Sequence, residues 1–345
     1  LWDRVYRDYL GPADASDPTE ISFEVVSGQS LTRVANNLEA AGLIHNHSVF
    51  KYYCDFAGMG QKIQTGTYLL TRRMTMTEIA DQLTTGDGNP IVRNITLIPG
   101  ESIEEFAQKL QQAGALKETA CFLDKCRTGQ DFSDYYYIAE VLEGGTAARR
   151  KYVLEGYLAP DTYEVYTSAG EEEILRKLLS QTEAVFPEEL QERAQALGFT
   201  MDQALTLASL IEKEAKTADF AKVSAVFHNR LKENMKLQSD VTIHYITGVR
   251  RMALTNSDLS IDSPYNTYLY AGLPVGPVCN PSSAAIRAAL YPDETYLAEK
   301  YLYFCAKDPA SGELYFSKTL SEHEQAVAIY RPLWQQYDQS QGIGE

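Results

Sequence analysis

Two glutamates at the end of an apolar segment are the residues in this sequence best suited to acid–base chemistry. The segment reads LTLASLIEKEAK, residues 205–216, and places Glu212 and Glu214 two positions apart. The apolar spacing predicts a helix over about residues 201–218, with the two glutamates on opposite borders of its buried stripe. Lys213 between them is expected to point into solvent. Periodicity therefore does not choose between the two acids.

A carboxyl group held against apolar side chains loses its hydration, which raises its pKa and favours the protonated acid. A general acid that works near neutral pH needs that property. The alternative for either glutamate is an ordinary exposed side chain, paired with Lys213, Lys216 or a nearby arginine. These two glutamates alone do not distinguish a general acid from an exposed ion-paired side chain, so residues elsewhere in the sequence are needed.

Three further segments concentrate acids, amides and tyrosines in turn-rich sequence, where such side chains either contact ligands or hydrogen-bond the backbone. A tyrosine offers a flat apolar face with a polar tip, which suits a sugar ring as well as ordinary packing. The segments are LEGYLAPDTYEV (154–165) with Glu155 and Asp161, FHNRLKENMKLQSDVTIHY (227–245) with Asn229, Arg230, Gln238 and Asp240, and SPYNTYLYAGLPVGPVCNPS (263–282) with Tyr265, Asn266 and Tyr268.

The charge of the chain argues against one class of partner. The 345 residues carry a net charge of −16, with a pI of about 4.8. So negative a chain repels a polyanion, which argues against nucleic acid. The length is enough for two or three domains.

The five cysteines and five histidines match no metal-binding spacing. The odd number of cysteines leaves at least one unpaired, and no phosphate loop or dinucleotide fingerprint is present. The sequence therefore predicts neither a metal nor a cofactor. No run approaches the roughly 20 apolar residues of a membrane helix.

Residues 21–90 are predicted to alternate short strands and helices. Ser30 is the expected N-cap of the first helix, and Gly42 is its expected stop. The predicted elements are a strand in ISFEVVSGQS, a helix in LTRVANNLEAAGLI, a helix in FKYYCDFAG, a strand in QTGTYLLT and a helix in TMTEIADQLTTG that ends at Gly86.

The second half of the chain is predicted to be mainly helical. Residues 171–197 fit a helix or two with a break at Pro187, and residues 237–282 are predicted to be a long loop-rich segment. YLYFCAKDPASGELYFS predicts a β-hairpin around its DPASG turn. The chain closes with a helix that has a possible break at Pro332.

Five motifs, taken in order, resemble the endolytic murein transglycosylase family, the MltG or YceG-like proteins. Together they cover most of residues 150–330, and five separated motifs at fitting intervals make the match specific. The motifs are EGYLAPDTY, ASLIEKEAK, VFHNRLKENMKLQSDVTIHYITG, SPYNTYLYAGLPVGPVCNPSSAAIRAALYP and YLYFCAKDPASGELYFS.

The resemblance implies an α+β fold, with a small LysM-like βα N-terminal domain followed by a mixed α+β YceG-like catalytic domain. We expect the LysM-like domain at residues 21–90, a connecting α/β subdomain at 91–150 and the catalytic transglycosylase domain at 151–345. Residues 1–20 are interpreted as a juxtamembrane segment and linker, because the sequence starts at a leucine rather than a methionine. The resemblance places a single membrane helix upstream of them, with this region on the extracytoplasmic side.

The family cuts nascent peptidoglycan strands internally, between N-acetylmuramic acid and N-acetylglucosamine, and leaves a 1,6-anhydro-muramyl end. Carried over to this sequence, its catalytic glutamate is Glu214. No cofactor is implied, and the expected partners are peptidoglycan strands and membrane-bound peptidoglycan synthases. A muramidase-type hydrolase and a non-catalytic glycan-binding or scaffold protein of cell-wall synthesis remain the alternatives.

Supporting residues are expected around Glu214. Some would line the sugar subsites, and others would hydrogen-bond the glycan or orient Glu214; the alternative for all of them is that they brace loops of the fold. The subsite candidates are Tyr265, Asn266 and Tyr268, and the others are Asn229, Gln238 and Asp240.

Overall fold

The computed structural model describes residues 9–26, 28–85, 92–166, 169–249 and 254–342. Strands in the described residues pair into three two-stranded sheets, and helices make up most of the rest, which is an α+β protein. The strands are β1 (Glu20–Val25), β2 (Gly66–Thr71), β3 (Val92–Thr96), β4 (Thr162–Tyr166), β5 (Tyr303–Asp308) and β6 (Glu313–Ser317). The helices are α1 (Leu31–Ala40), α2 (His47–Phe56), α3 (Met76–Thr85), α4 (Ile103–Gln112), α5 (Ala120–Thr128), α6 (Tyr136–Glu143), α7 (Glu171–Val185), α8 (Glu188–Ala196), α9 (Met201–Glu214), α10 (Phe220–Lys232), α11 (Asp240–Thr247), α12 (Asn256–Leu259), α13 (Ser283–Leu290), α14 (Glu294–Ala298) and α15 (Leu320–Ser340).

The chain divides into two compact units. The first comprises residues 1–95, 112–117 and 163–170, and the second comprises 96–111, 118–162 and 171–345. In the first unit, β1 pairs antiparallel with β2, and the sheet packs with α1, α2 and α3 around one apolar core. The assignment of this region as LysM-like stays a prediction.

The predicted N-cap and the predicted stop residue of α1 are both confirmed. The Ser30 side chain accepts a hydrogen bond from the backbone N–H of Arg33, which satisfies one of the unpaired donors of the first turn. Gly42 has φ +70°, the left-handed conformation that ends helices and that glycine adopts without steric cost. The expected stop of α3 at Gly86 lies outside the described residues.

Helix α9 is central to the second unit, and it differs from the amphipathic helix that the sequence predicted. Residues 204–211 are all buried, so the helix is enclosed on every side rather than along one stripe. A capping box between Thr200 and Gln203 starts it. It ends at Glu214, four residues earlier than expected, because Ala215 is extended.

Lys213 does not point freely into solvent as expected. Its Nζ donates a hydrogen bond of 3.0 Å to the carbonyl oxygen of Gly100, and the pair is partly buried. Lys213 therefore ties the end of α9 to the loop that precedes α4.

The segment 237–282, predicted to be loop-rich, contains two helices, α11 and the short α12. Helix α11 has the sequence DVTIHYIT, and its β-branched residues have poor intrinsic helix propensity, so its local signal was weak. The break at Pro187 and the β5–β6 hairpin are confirmed. The closing helix α15, in contrast, continues through Pro332.

Within the described ranges, none of the helices combines the length and the apolar composition that crossing a bilayer requires. All five cysteines are free thiols, of which only Cys121 is exposed. No group of three or more His, Cys, Asp or Glu side chains in the described part of the chain is arranged to hold a metal ion.

Candidate active site

Glu214 is the last residue of α9, and it lies against a second element of the same unit. Its Oε1 accepts a hydrogen bond of 2.5 Å from the Oγ of Ser239, the residue that directly precedes α11. No partner of Oε2 is found among the residues that the structure describes. The carboxyl group is thus held by one oxygen, while the other is available for a proton.

Burial raises the pKa of Glu214 to about 8, and the nearby Asp240 carboxyl acts in the same direction. The hydrogen bond from Ser239 and the positive charge of Arg230 oppose this rise without cancelling it. The C-terminal end of a helix carries partial negative charge, which also disfavours a carboxylate at this position. A protonated Glu214 near neutral pH follows from these surroundings.

Arg230 of α10 fixes the chain that leads to Ser239. Its Nε donates to the carbonyl oxygen of Leu302 at 2.6 Å, and its Nη1 donates to that of Leu237 at 2.8 Å. Because the guanidinium presents its donors in a rigid fork, these two bonds link Leu237, in the segment before α11, to Leu302, which directly precedes β5. Arg230 therefore acts on the site mainly through the backbone.

Gln238 turns the chain immediately before Ser239. Its φ is +48°, in the left-handed region that non-glycine residues adopt at a steric cost. Its backbone N–H donates to the carbonyl oxygen of Thr267 at 3.1 Å, and its side chain is exposed. Of the six predicted supporting residues, Gln238 has the side chain most available to a glycan.

Tyr268 and Asp240 form a pair next to Glu214. The Tyr268 hydroxyl donates a short hydrogen bond to Oδ1 of Asp240. Burial raises the pKa of Asp240, and burial together with Asp240 raises the pKa of Tyr268 far above its ordinary value. The structure therefore brings three predicted site residues together: Glu214, Asp240 and Tyr268.

The side chains of the other predicted residues form hydrogen bonds with backbone groups elsewhere in the chain. Asn229 donates to the carbonyl oxygens of Tyr296 and Tyr301 at 3.1 and 3.0 Å, respectively. Asn266, which is 1% exposed, donates to the carbonyl oxygens of Leu259 and Ile261 and accepts from the backbone N–H of Tyr268. The Tyr265 hydroxyl accepts from the backbone N–H of Lys151 at 3.2 Å. These contacts are those of bracing residues.

Glu212, the other acid of the opening segment, has a different set of partners. Its Oε2 accepts from the backbone N–H of Ser282 at 2.9 Å and from the Ser282 Oγ at 2.5 Å. Ser282 is the N-cap of α13, where the positive end of the helix favours a negative group. Glu212 therefore connects α9 to α13.

Glu155 is a second buried acid with a raised pKa. It is 1% exposed, and burial raises its pKa to about 8. Its Oε1 accepts from the backbone N–H of Ile103 and from Asn280 Nδ2, and its Oε2 accepts from the Tyr245 hydroxyl. The acid is enclosed by donors on both oxygens.

Ser239 and Asn280 are the residues that sequence reasoning missed. A serine just ahead of a helix is expected to cap it, and that signal depended on recognising α11. Asn280 is fully buried, and its Oδ1 accepts from the backbone N–H groups of Gly156 and Leu158. Nothing in the local sequence indicates that contact, because the partners lie more than a hundred positions away.

Fold and site together define an α+β protein with one partly exposed acid, held by a serine and protonated near neutral pH. A family model described as YceG-like family matches residues 23–329, so the chain belongs to that family. It is 32% identical over 334 residues to an endolytic murein transglycosylase of Bacillus subtilis, covering 94% of this chain and 88% of that protein.

Two further relatives extend the comparison. An endolytic murein transglycosylase of Streptococcus pneumoniae is 30% identical over 339 residues, which are 93% of this chain but 60% of that longer protein. A crystal structure of a yceG-like protein from Listeria monocytogenes superimposes with a TM-score of 0.58 at 29% identity. That alignment covers 89% of this chain and 99% of the other.

Proposed function

We propose that this protein is an endolytic murein transglycosylase that cleaves peptidoglycan strands, with Glu214 as its single acid and base. The observation that carries the proposal is the carboxyl of Glu214, which has a pKa of about 8 and one oxygen without a hydrogen-bond partner in the described residues. The names of the relatives supply the substrate, since a shared fold alone does not define chemistry.

In the first step, protonated Glu214 donates its proton to the oxygen of the glycosidic bond between N-acetylmuramic acid and N-acetylglucosamine. The bond from C1 of the muramyl residue to that oxygen breaks, and positive charge develops on the sugar ring as an oxocarbenium-like or oxazolinium species. A carboxyl that is protonated at neutral pH suits this step.

In the second step, the Glu214 carboxylate takes the proton from the O6 hydroxyl of the same muramyl residue. O6 then attacks C1, and the 1,6-anhydro ring closes. No water is consumed, and Glu214 ends the cycle protonated, as it began. The reaction is an intramolecular substitution at C1, in which O6 replaces the leaving strand without water, and enzymes that cleave a strand in this way are classed formally as lyases.

A two-carboxylate hydrolase would need a second acid about 5 to 9.5 Å from the first. Glu155 is fully enclosed, and Glu212 is bound to the start of α13. Asp161 is exposed and accepts a hydrogen bond from Nε2 of Gln181. Asp240 is the remaining candidate, and its carboxyl accepts from the Tyr268 hydroxyl. We assign Asp240 to keeping the pKa of Glu214 high, and Tyr268 and Gln238 to contacts with the sugar.

The test is a digest of purified peptidoglycan in water labelled with heavy oxygen, followed by mass spectrometry of the soluble products. We expect muramyl ends that are lighter by one water and carry no label. Labelled reducing ends would identify a muramidase. Retention of the protein on insoluble peptidoglycan without any release of fragments would identify a binding or scaffold protein.

We further propose that this region acts outside the cytoplasmic membrane, anchored by an upstream helix and close to peptidoglycan synthases. The support is the location of the substrate. Chemical cross-linking in cells that express the full-length protein should recover synthases with it. Recovery of cytoplasmic proteins alone would contradict this placement.

A further inference from the structure

We propose that Ser239 is a positioning residue, which holds Glu214 by Oε1 and thereby makes Oε2 the oxygen that delivers the proton. This inference rests on the proposed function. It identifies a residue that acts on the acid without touching the substrate.

The Ser239 hydroxyl is not used to cap α11. Ser239 occupies the N-cap position of α11, where a serine side chain ordinarily accepts a hydrogen bond from the first turn. Its side chain makes no such capping bond. The hydroxyl is instead directed at Glu214, 25 positions earlier in the chain.

Ser239 is itself held in place by hydrogen bonds to its backbone groups. Its backbone N–H donates to Oγ1 of Thr267 at 3.0 Å, and its carbonyl oxygen accepts from Oγ1 of Thr242 at 2.8 Å. The two threonine hydroxyls are themselves 3.1 Å apart. Ser239 is 2% exposed, so water does not compete for these groups. Because Ser239 is held in this way, its hydroxyl can hold the Glu214 carboxyl in one orientation.

The hydrogen bond from Ser239 determines which oxygen of Glu214 carries the proton and how tightly that proton is held. Because Ser239 donates to Oε1, that oxygen is the carbonyl oxygen of the protonated acid, and the proton resides on Oε2. The same donation stabilises the carboxylate, so it lowers the pKa of Glu214. The other charged or titratable groups that act on Glu214 are Asp240 of α11, Arg230 of α10 and the Tyr268 hydroxyl.

The test compares Ser239→Ala, Ser239→Thr and the control Ser282→Ala. Ser282 is matched because its Oγ also lies 2.5 Å from a glutamate at the end of α9. We expect Ser239→Ala to lower kcat about 10- to 100-fold with KM within about twofold, as misplacement of a catalytic group does. Ser239→Thr, which retains the hydroxyl, should recover most of the rate, and Ser282→Ala should keep it.

The second readout is the titration of Glu214, followed by carbon NMR of labelled glutamate and assigned by its loss in Glu214→Gln. Ser239→Ala should raise the pKa of Glu214 by about one unit, because a donor to the carboxylate is removed. Ser239→Thr and Ser282→Ala should leave it within a few tenths.

An unchanged titration in folded Ser239→Ala would overturn the inference, and so would an unchanged kcat. The proposed function fails separately, if the wild-type protein forms no anhydro ends. In that event the titration still reports whether Ser239 controls the proton of Glu214.

Discussion

Two serine–glutamate pairs lie at the end of α9, and they do different work. Ser239 donates to Glu214, and Ser282 donates to Glu212, each at an oxygen–oxygen distance of 2.5 Å. Residue types and distances are the same in both pairs. The pairs differ in what else the serines bind, and that difference separates a candidate catalytic acid from a structural one.

Ser282 gives all its polar groups to the junction between α9 and α13. Its N–H and its hydroxyl both donate to Glu212, and its Oγ also accepts from the backbone N–H of Ala285 as the N-cap of α13. Ser239 gives its hydroxyl to Glu214 alone and its backbone to other partners. Glu212 is therefore anchored to a helix start, whereas Glu214 keeps one oxygen for chemistry.

The largest expected difference between the two acids is in activity. Glu214→Gln should lower the rate of anhydro-muramyl product formation by about 10³-fold or more, because an amide can neither donate the acid proton nor take up the O6 proton. Glu212→Gln should retain the rate within about tenfold. Product formation from purified peptidoglycan, measured for both variants at equal concentration, gives the comparison.

Circular dichroism of the two variants is the control, since both must be folded for the rates to be comparable. Loss of activity in folded Glu212→Gln with activity retained in Glu214→Gln would reverse the assignment. Equal losses in both would mean that the end of α9 works as one unit.

Glu155 has a raised pKa like Glu214, but its side chain is buried, whereas that of Glu214 is partly exposed. Glu155→Ala should lower the free energy of unfolding by about 3 kcal/mol, since it leaves the Ile103 N–H and the Tyr245 hydroxyl without their acceptor and removes one of the two acceptors of the Asn280 amide. Glu155→Gln, which keeps one carbonyl oxygen, should cost about 1 kcal/mol. Urea denaturation with a common m-value measures both.

If Glu155→Gln abolished activity in a protein of wild-type stability, Glu155 would be a functional acid after all. A raised pKa alone does not identify the catalytic residue. Burial raises the pKa of both acids, and only the one with an oxygen open to a substrate can transfer a proton.

The sequence predicted the helices and the hairpin where local signals are strong, such as the Ser30 cap, the break at Pro187 and the DPASG turn. It narrowed the acid to Glu212 or Glu214 by periodicity, and only the family resemblance favoured Glu214. It missed α11, because β-branched residues weaken its signal, and with α11 it missed Ser239. Contacts such as Asn280 with Gly156 depend on tertiary packing, which no local pattern reports.

The two acids should also differ in the sign of their effect on stability. The pKa of Glu214 is about 8 in the folded protein and 4.5 ordinarily, so between these pH values the folded state holds a proton that the unfolded state has released. The free energy of unfolding therefore falls as pH rises through this window. Glu214→Gln has no such titrating group, so its free energy of unfolding should exceed that of wild type by about 2 kcal/mol at pH 8. This value is smaller than the full pKa shift implies, because Glu214 is partly exposed and solvent screens its charge.

Thermal unfolding of wild type and Glu214→Gln at a series of pH values tests this effect, because Glu155 contributes equally to both proteins. The difference should vanish near pH 4, where both states of the wild-type acid are protonated. Glu212→Gln should instead be less stable than wild type, since an amide is a weaker acceptor for Ser282. A stability gain in Glu212→Gln that equals the gain in Glu214→Gln would remove the distinction between the two acids.

The smallest expected difference concerns the serines as helix caps. Ser282→Ala removes the N-cap of α13 and one of the two donors to Glu212, and should lower the free energy of unfolding by about 1 kcal/mol. Ser239→Ala, measured at pH 6 where Glu214 is protonated, should lower it less, because its hydroxyl caps no helix. Urea midpoints of the two variants, compared at that pH, measure the difference. A larger loss of stability in Ser239→Ala would mean that the Ser239 hydroxyl mainly maintains the fold, and the contrast between the two pairs would then lie in the glutamates alone.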